Sequence, residues 1–312
     1  MGARVAVVVN RTARHLRREG PLLRAILRGA RGLDVYETRT IADLAPVCAR
    51  IRASEAETVV FAGGDGSYSA GLTALARAYE DAALPRIALA PGGTVSTVPR
   101  NWGMRGAATR WAERLLAAAR TGSGRTVERR TLRVTDDRGG DRLGFIFGAG
   151  LVARFFEVYD AAPMQGYLGA ARIVAPIFVG SFFGGSLARR VLTPVPCTVY
   201  VDGARQRASA YSLLAASVVR DLGLHMRVTY RAEDDAERFH LVGSPLGPLA
   251  LGPQMPLVLA GRRLRGRHHL DALAREASFA FDAEDAYILD GDRFAAHEVH
   301  VAMGRHFRLL VP

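Results

Sequence analysis

Lysine is absent from these 312 residues, so all 42 basic side chains are arginine, and against 30 acidic ones they leave a net charge of +12. Such a charge raises nucleic acid or an anionic membrane as partner. The arginines are scattered instead of forming a stripe, so nucleic acid is not expected, while peripheral contact with an anionic membrane surface is. Cysteine is scarce: Cys48 and Cys197 stand far apart in sequence. That spacing offers neither a zinc site nor a disulfide framework, and a reducing cytoplasm is the expected compartment. No clean run of about 20 apolar residues occurs, which argues against a membrane-spanning helix. The first apolar run, Val5 to Val9, is only five residues long and reads as a strand, not a signal peptide. What remains is an ordinary globular balance, 49% hydrophobic and 23% charged, in a chain long enough for two domains.

The stretch with most information is TVVFAGGDGSYSA, Thr58 to Ala70. A β-branched and aromatic run empties into Gly63, Gly64, Asp65, Gly66 and Ser67 just before an apolar-periodic helix. Glycines there let backbone approach a ligand closely, and the next helix offers unpaired N–H groups to phosphate oxygens. Asp65 is unusual in an anion-binding loop. Either a metal ion or a transferable proton lies between it and phosphate, which suggests phosphoryl transfer, or it caps a tight strand-to-helix turn. A second strand, Arg86 to Ala90, runs into PGGTVSTVPRNWG, again with paired glycines and hydroxyls. Loops at the carboxyl ends of neighbouring parallel strands converge on one crevice, where nucleotides bind.

These two loops resemble the GGDGT and P-x-G-T-x-N motifs of the diacylglycerol kinase catalytic family, lipid kinases that include bacterial diacylglycerol kinases and sphingosine kinases. NAD kinases share the first motif. The resemblance implies an N-terminal doubly wound parallel-sheet nucleotide domain over residues 1–122, on which residues of about 296–312 pack back, and an antiparallel β-sandwich lipid domain over 126–295. It further implies ATP and Mg²⁺ as cofactors and a lipid substrate bound in the cleft between the domains. Asn10, Thr38, Gly63, Gly64, Asp65, Gly66, Ser67, Gly93, Thr94 and Ser96 become the candidate nucleotide residues. Ser67 and Ser96 replace the family's threonine and asparagine, and the loop after Asn10 lacks the family's proline and glycine, leaving Arg11 or Arg14 to serve phosphate or to be ordinary loop residues.

In chain order, Gly20-Pro21 starts a helix with Leu22, Leu23, Ile26 and Leu27 on one face, Leu33 to Glu37 is a strand delivering Thr38, and Asp43 caps a helix carrying Val47 and Ile51. Helices follow with stripes at Leu72, Leu75 and Tyr79, and at Trp111, Leu115 and Ala119. Trp102 reads as a core or helix-packing residue, with a ligand contact as the other reading. After a TGSGR linker at Thr121 to Arg125 the rhythm changes to strands: a hairpin of Val127 to Val134 with Leu143 to Phe147, then Cys197 to Val201, Ala208 to Ala215, Phe239 to Val242, Ser278 to Phe281 and Tyr287 to Leu289. Phe147-Gly148-Ala149-Gly150 resembles the family's glycine pair ahead of its lipid-facing segment.

Gly166 to Leu187 is the most apolar stretch. It reads as buried helices, as a lipid-admitting wall with Phe178, Phe182 and Phe183, or as both. The arginines and histidines of 262–269 read as a solvated or membrane-facing surface. By resemblance, Asp235 in an acidic turn is a candidate Mg²⁺ ligand, although Ala232 and Glu237 replace the family's neighbours and the stretch otherwise reads as an exposed acidic turn without metal. Asp290-Gly291-Asp292 resembles the family's D-G-E, which makes Asp292 the base that deprotonates the lipid hydroxyl and Asp290 an alternative base or metal-network member. In isolation the same residues read as a hairpin turn. The expected activity is ATP-dependent phosphorylation of a lipid hydroxyl, diacylglycerol by default. A nucleotide or lipid sensor without turnover stays open because of the departures, as does a kinase for a dinucleotide or small polyol. A homodimer is neither implied nor excluded.

Overall fold

The computed structural model describes residues 4–163 and 166–312. The chain divides into two compact units, one made of the residues up to Arg130 with Arg305–Pro312, the other of Thr131–Gly304.

In the first unit the strands are β1 (Val5–Asn10), β2 (Asp34–Thr38), β3 (Thr58–Gly63) and β4 (Arg86–Pro91). They alternate with α1 (Pro21–Gly29), α2 (Leu44–Ala53), α3 (Asp65–Tyr79), α4 (Thr97–Asn101) and α5 (Ala108–Thr121). All pairings are parallel, in the order β4, β3, β1, β2. Parallel strands covered on both faces must be apolar throughout, and β3 is buried at every residue. Val60 and Ala62 join Leu23 and Ile26 of α1 and Leu115 and Leu116 of α5 in one core cluster. Phe61 points the other way, where a Cβ on Gly71 of α3 would fall 2.5 Å from its ring. Only glycine lets that helix lie so close. The expected stripe on α1 is bounded by Leu27, which is exposed, while Ala25 is buried instead. Asp43 occupies the N-cap of α2, yet its carboxylate turns back to accept from the Arg39 and Thr40 amides.

The second unit begins inside β5 (Arg125–Asp136), followed by β6 (Asp141–Gly144) and β7 (Ile146–Gly150). Three helices come next, α6 (Leu151–Asp160), α7 (Tyr167–Phe183) and α8 (Ser186–Leu192). Strands then dominate: β8 (Val195–Val201), β9 (Ala204–Arg205), β10 (Ala210–Tyr211), β11 (Leu213–Ser217) and β12 (Phe239–Ser244), and, after the short α9 (Pro248–Leu251) and α10 (Met255–Leu259), β13 (Leu270–Ala274), β14 (Glu276–Leu289) and β15 (Asp292–Val311). Within this unit the pairings are antiparallel. A bulge between Ala280 and Asp285 splits β14, whose first half pairs with β8 and whose second half pairs with β7. Its two halves thereby serve two sheet segments, and Phe147 of β7 stacks on Phe279 with centroids 5.1 Å apart.

Several sequence expectations need correction. Leu143 to Phe147 is not one hairpin strand but two, because at Phe145 the chain changes partners: its N–H donates to the Asp290 carboxylate and its C=O accepts from Val218. Ala208 to Ala215 likewise breaks at Ser212, whose N–H and hydroxyl both go to the Ser244 carbonyl. Ser278 to Phe281 and Tyr287 to Leu289 are one bulged strand. The strands are also interrupted by α6, α7 and α8, which pack on one sheet face through Ile173, Ile177 and Val191 against Leu213, Ala215 and Val242.

Candidate functional site

The glycine loops of the first unit lie back to back. Gly92 and Gly93 both donate their N–H to the Gly63 carbonyl, at 2.6 and 3.0 Å. A Cβ on Gly93 would fall 2.6 Å from the Gly64 Cα, and one on Gly63 would fall 2.5 Å from the Ser67 Cβ. Side chains would force these backbones apart, so glycine is required by the approach itself. The loop after β1 joins them: Asn10 donates from Nδ2 to the Ser67 hydroxyl at 2.8 Å and accepts the Thr12 N–H on Oδ1 at 2.8 Å. Ser67 in turn accepts the Gly64 N–H at 3.2 Å. Leu16, fully buried although in a loop, packs against Gly92. Three strand ends are therefore fastened into one rim, below which the first-turn amides of Asp65, Gly66 and Ser67 precede the ladder of α3.

Asp65 caps a helix, but not its own. Its Oδ2 accepts the Thr97 N–H at 2.8 Å and its Oδ1 the Val98 N–H at 3.1 Å, fixing the first turn of α4 to the GGDG loop. Burial pushes its carboxyl above the ordinary range, and those two amides act in the opposite direction. Ser96, buried, holds the N-cap of α4 in a left-handed conformation, φ 54°. Thr94 is half-exposed, and its hydroxyl has no partner among the described residues. Thr38 ends β2, buried, and its carbonyl accepts the Arg11 N–H. The Arg11 side chain pairs with Glu37 at 2.8 Å, whereas Arg14 is exposed.

Tyr68 was not singled out in the sequence. It is fully buried, and its hydroxyl lies 2.9 Å from the carbonyls of both Gly63 and Ala90, at the ends of β3 and β4. The signal was available: a tyrosine in the first turn of a helix that leaves a buried strand must place its hydroxyl among strand-end carbonyls, since a buried O–H requires an acceptor.

In the second unit, Asp290 sits buried in the turn between β14 and β15 with φ 52°. Its carboxylate accepts from the N–H groups of Phe145, at 2.9 Å, and Ile146, at 2.9 Å. Asp292 reaches solvent, but surrounding protein desolvates its carboxyl and raises its pKa, and Asp160 at the end of α6 adds to the shift. Asp235 is half-exposed, caps the Glu237 amide and pairs with Arg238 at 3.5 Å. No group of three or more His, Cys, Asp or Glu side chains able to hold a metal occurs among the described residues. The rim of glycines, amides and hydroxyls offers hydrogen-bond donors of the kind that phosphate oxygens accept. Gly148 and Gly150 end β7, and a Cβ on Gly150 would fall 2.6 Å from the Ser212 carbonyl oxygen, which accounts for glycine there.

Residues 4–126 match the family model of the diacylglycerol kinase catalytic domain. No curated protein matches the chain in sequence. Among solved structures, a diacylglycerol kinase from Bacillus anthracis str. Sterne is similar over 100% of this chain and 97% of its own, with a TM-score of 0.65 at 14% identity. A second structure from that organism, described as a candidate diacylglycerol kinase, gives a TM-score of 0.69 at 13% identity, covering 100% of this chain and 97% of its own. The parallel-sheet unit and the antiparallel unit are thereby found together in known proteins, and the resemblance carried by the glycine loops is found over residues 4–126.

Proposed function

We propose that this chain is an ATP-dependent lipid kinase, with diacylglycerol as the default acceptor. The observation that carries the reading is the fastening of the strand-end loops of β1, β3 and β4 by Asn10, Ser67 and Asp65 around the half-buried first turn of α3 and the free Thr94 hydroxyl. Such a preorganised donor set suits phosphate oxygens that gain charge during transfer. ATP supplies the transferable phosphoryl group and, with its magnesium, neutralises charge on the leaving phosphates. The amides of Asp65, Gly66 and Ser67 and the Thr94 hydroxyl hold those phosphates, while the Gly64 amide stays on the Ser67 hydroxyl. Asp65 holds α4 and, with it, the second loop in place while presenting its remaining lone pairs. Asp292, raised in pKa yet open to solvent, takes the proton of the acceptor hydroxyl as it attacks in line. Asp290 shapes the turn that carries Asp292.

The test is transfer of labelled phosphate from ATP with Mg²⁺ to a panel of lipids in mixed micelles, with Asp65→Asn as control. A lipid product made only by the unsubstituted protein supports the kinase and identifies its acceptor. One observation favours a second reading, a nucleotide sensor: both Asp65 oxygens already accept backbone hydrogens. ATP binding without product in every micelle would establish that reading instead.

A further inference from the structure

Helix α7 is apolar on the side where water favours charge. Ile173 and Ile177 face inward and fill the core, as a period of 3.6 requires. On the opposite side Val179, Phe182 and Phe183 are exposed, Phe183 to 84%. Leu249 of α9 is 64% exposed and stands beside them, for a Cβ on Gly184 would lie 3.9 Å from the Leu249 Cδ2 and 3.8 Å from the Arg189 guanidinium. A second cationic element adjoins this corner. The loop of residues 262–268 is bound to the base of α9 through Gln254, whose Nε2 donates to the Ala250 and Arg265 carbonyls at 3.2 and 2.8 Å and whose Oε1 accepts the Arg265 N–H at 2.6 Å. Arg265 and Arg267 are exposed, and neither they nor Arg189 have an acidic partner among the described residues.

Large exposed apolar tips rimmed by unpaired arginines match one chemistry, a bilayer whose headgroups are anionic. The tips enter the boundary between headgroups and acyl chains, while the arginines remain at the phosphates. We infer that the corner between α7 and α8, with Leu249 and the arginine loop, is the surface by which this chain docks on an anionic lipid bilayer. The inference rests on the kinase reading only for its purpose, bringing the enzyme to an acceptor that resides in a membrane; the docking itself is measured without turnover.

The experiment is sedimentation of the full chain with phosphatidylcholine vesicles made with and without phosphatidylglycerol, in the absence of nucleotide. Phosphatidylglycerol should be required, and added salt should weaken binding. Joint Arg265→Glu and Arg267→Glu substitution should lower partitioning by roughly tenfold or more, since each surface arginine contributes a few-fold. Leu249→Ser should lower it while leaving thermal unfolding unchanged, because its side chain is largely in water. The inference is overturned if the unsubstituted chain stays in the supernatant, or if both variants sediment as it does. It is also overturned if Phe183→Ser splits a dimer in solution without altering vesicle binding, which would give the surface to a second copy of the chain. Vesicle binding with no lipid phosphorylated anywhere would defeat the kinase reading and leave the docking intact. If both hold, the double arginine variant still phosphorylates short-chain diacylglycerol dissolved in buffer and loses activity on vesicles.

Discussion

At Asp65 a single carboxylate is asked to do two things. It accepts two backbone hydrogens that fix α4, and it lies in the loop where phosphate is proposed to bind. In Asp65→Asn one acceptor oxygen becomes an NH₂ facing an N–H, so stability should fall by about 1–3 kcal/mol. Because burial raises the folded-state pKa of Asp65, its protonated form is favoured by folding. That contribution is full below the unfolded pKa and is lost as pH rises through the folded one. The deficit of the uncharged variant, followed by urea unfolding across pH, should therefore be largest in acid and shrink toward neutrality. Phosphate transfer should vanish at every pH, and undiminished turnover would remove Asp65 from the mechanism. Asp292 gives a second prediction. As a base it works only when ionised, so activity should fall as pH drops through a pKa held above the ordinary carboxylate value by burial and by Asp160. In Asp160→Asn the neighbouring negative charge is gone, and the acid limb of the kcat/KM profile should move to lower pH. An unmoved limb would show that another group is titrating.

Elements fixed by periodicity and glycine were legible in the sequence; elements fixed by distant partners were not. The strand of Thr58 to Phe61 and the glycine loop after it could be read because a buried run followed by Gly63 and Gly64 has few alternatives. Nothing local announces that Phe145 breaks a strand, since its N–H goes to Asp290, 145 residues further along the chain, and its carbonyl accepts from the Ser217 hydroxyl, 72 residues on, and from the Val218 N–H. The long β15 was missed for a similar reason: its charged and polar residues, such as His297 and Glu298, face solvent along a bent hairpin and leave a weak apolar alternation. Asp65 as the cap of α4 was likewise beyond reach, because it bonds across 32 residues of sequence. The packing of the two glycine loops yields a graded prediction. A Cβ on Gly93 would fall 2.6 Å from the Gly64 Cα, but one on Gly64 would stop 3.3 Å from the Gly93 Cα. Gly93→Ala should cost about 1–3 kcal/mol and abolish ATP binding in calorimetry. Gly64→Ala should do measurably less, and a reversed ranking would mean that the loops part without resistance.

The whole chain is needed to complete its first unit, since the last residues, Arg305–Pro312, belong to the unit that the first residues build. Leu309 pairs in parallel with Ile87 of β4, and Leu310 joins the core cluster of Val7, Leu23 and Leu116. Phe307 packs on Trp102 with ring centroids 6.0 Å apart, and the Arg305 guanidinium donates to the Ala82 carbonyl at 2.7 Å. Phe307, Leu309 and Leu310 are nearly fully buried. At about 1.5–3 kcal/mol for each such side chain, their loss amounts to roughly 5–9 kcal/mol. That is comparable to the entire stability of a typical domain, about 5–15 kcal/mol. Removing the chain after Gly304 should leave β4 with an unpaired edge and the first unit unfolded. The nucleotide rim would be lost with it, although every residue of that rim is still present. Mg²⁺-ATP should raise the melting temperature of the full chain by mass action and leave that of the shortened chain unchanged. If the shortened chain is stabilised as strongly, the final strand is dispensable, and the nucleotide rim depends on residues 4–130 alone.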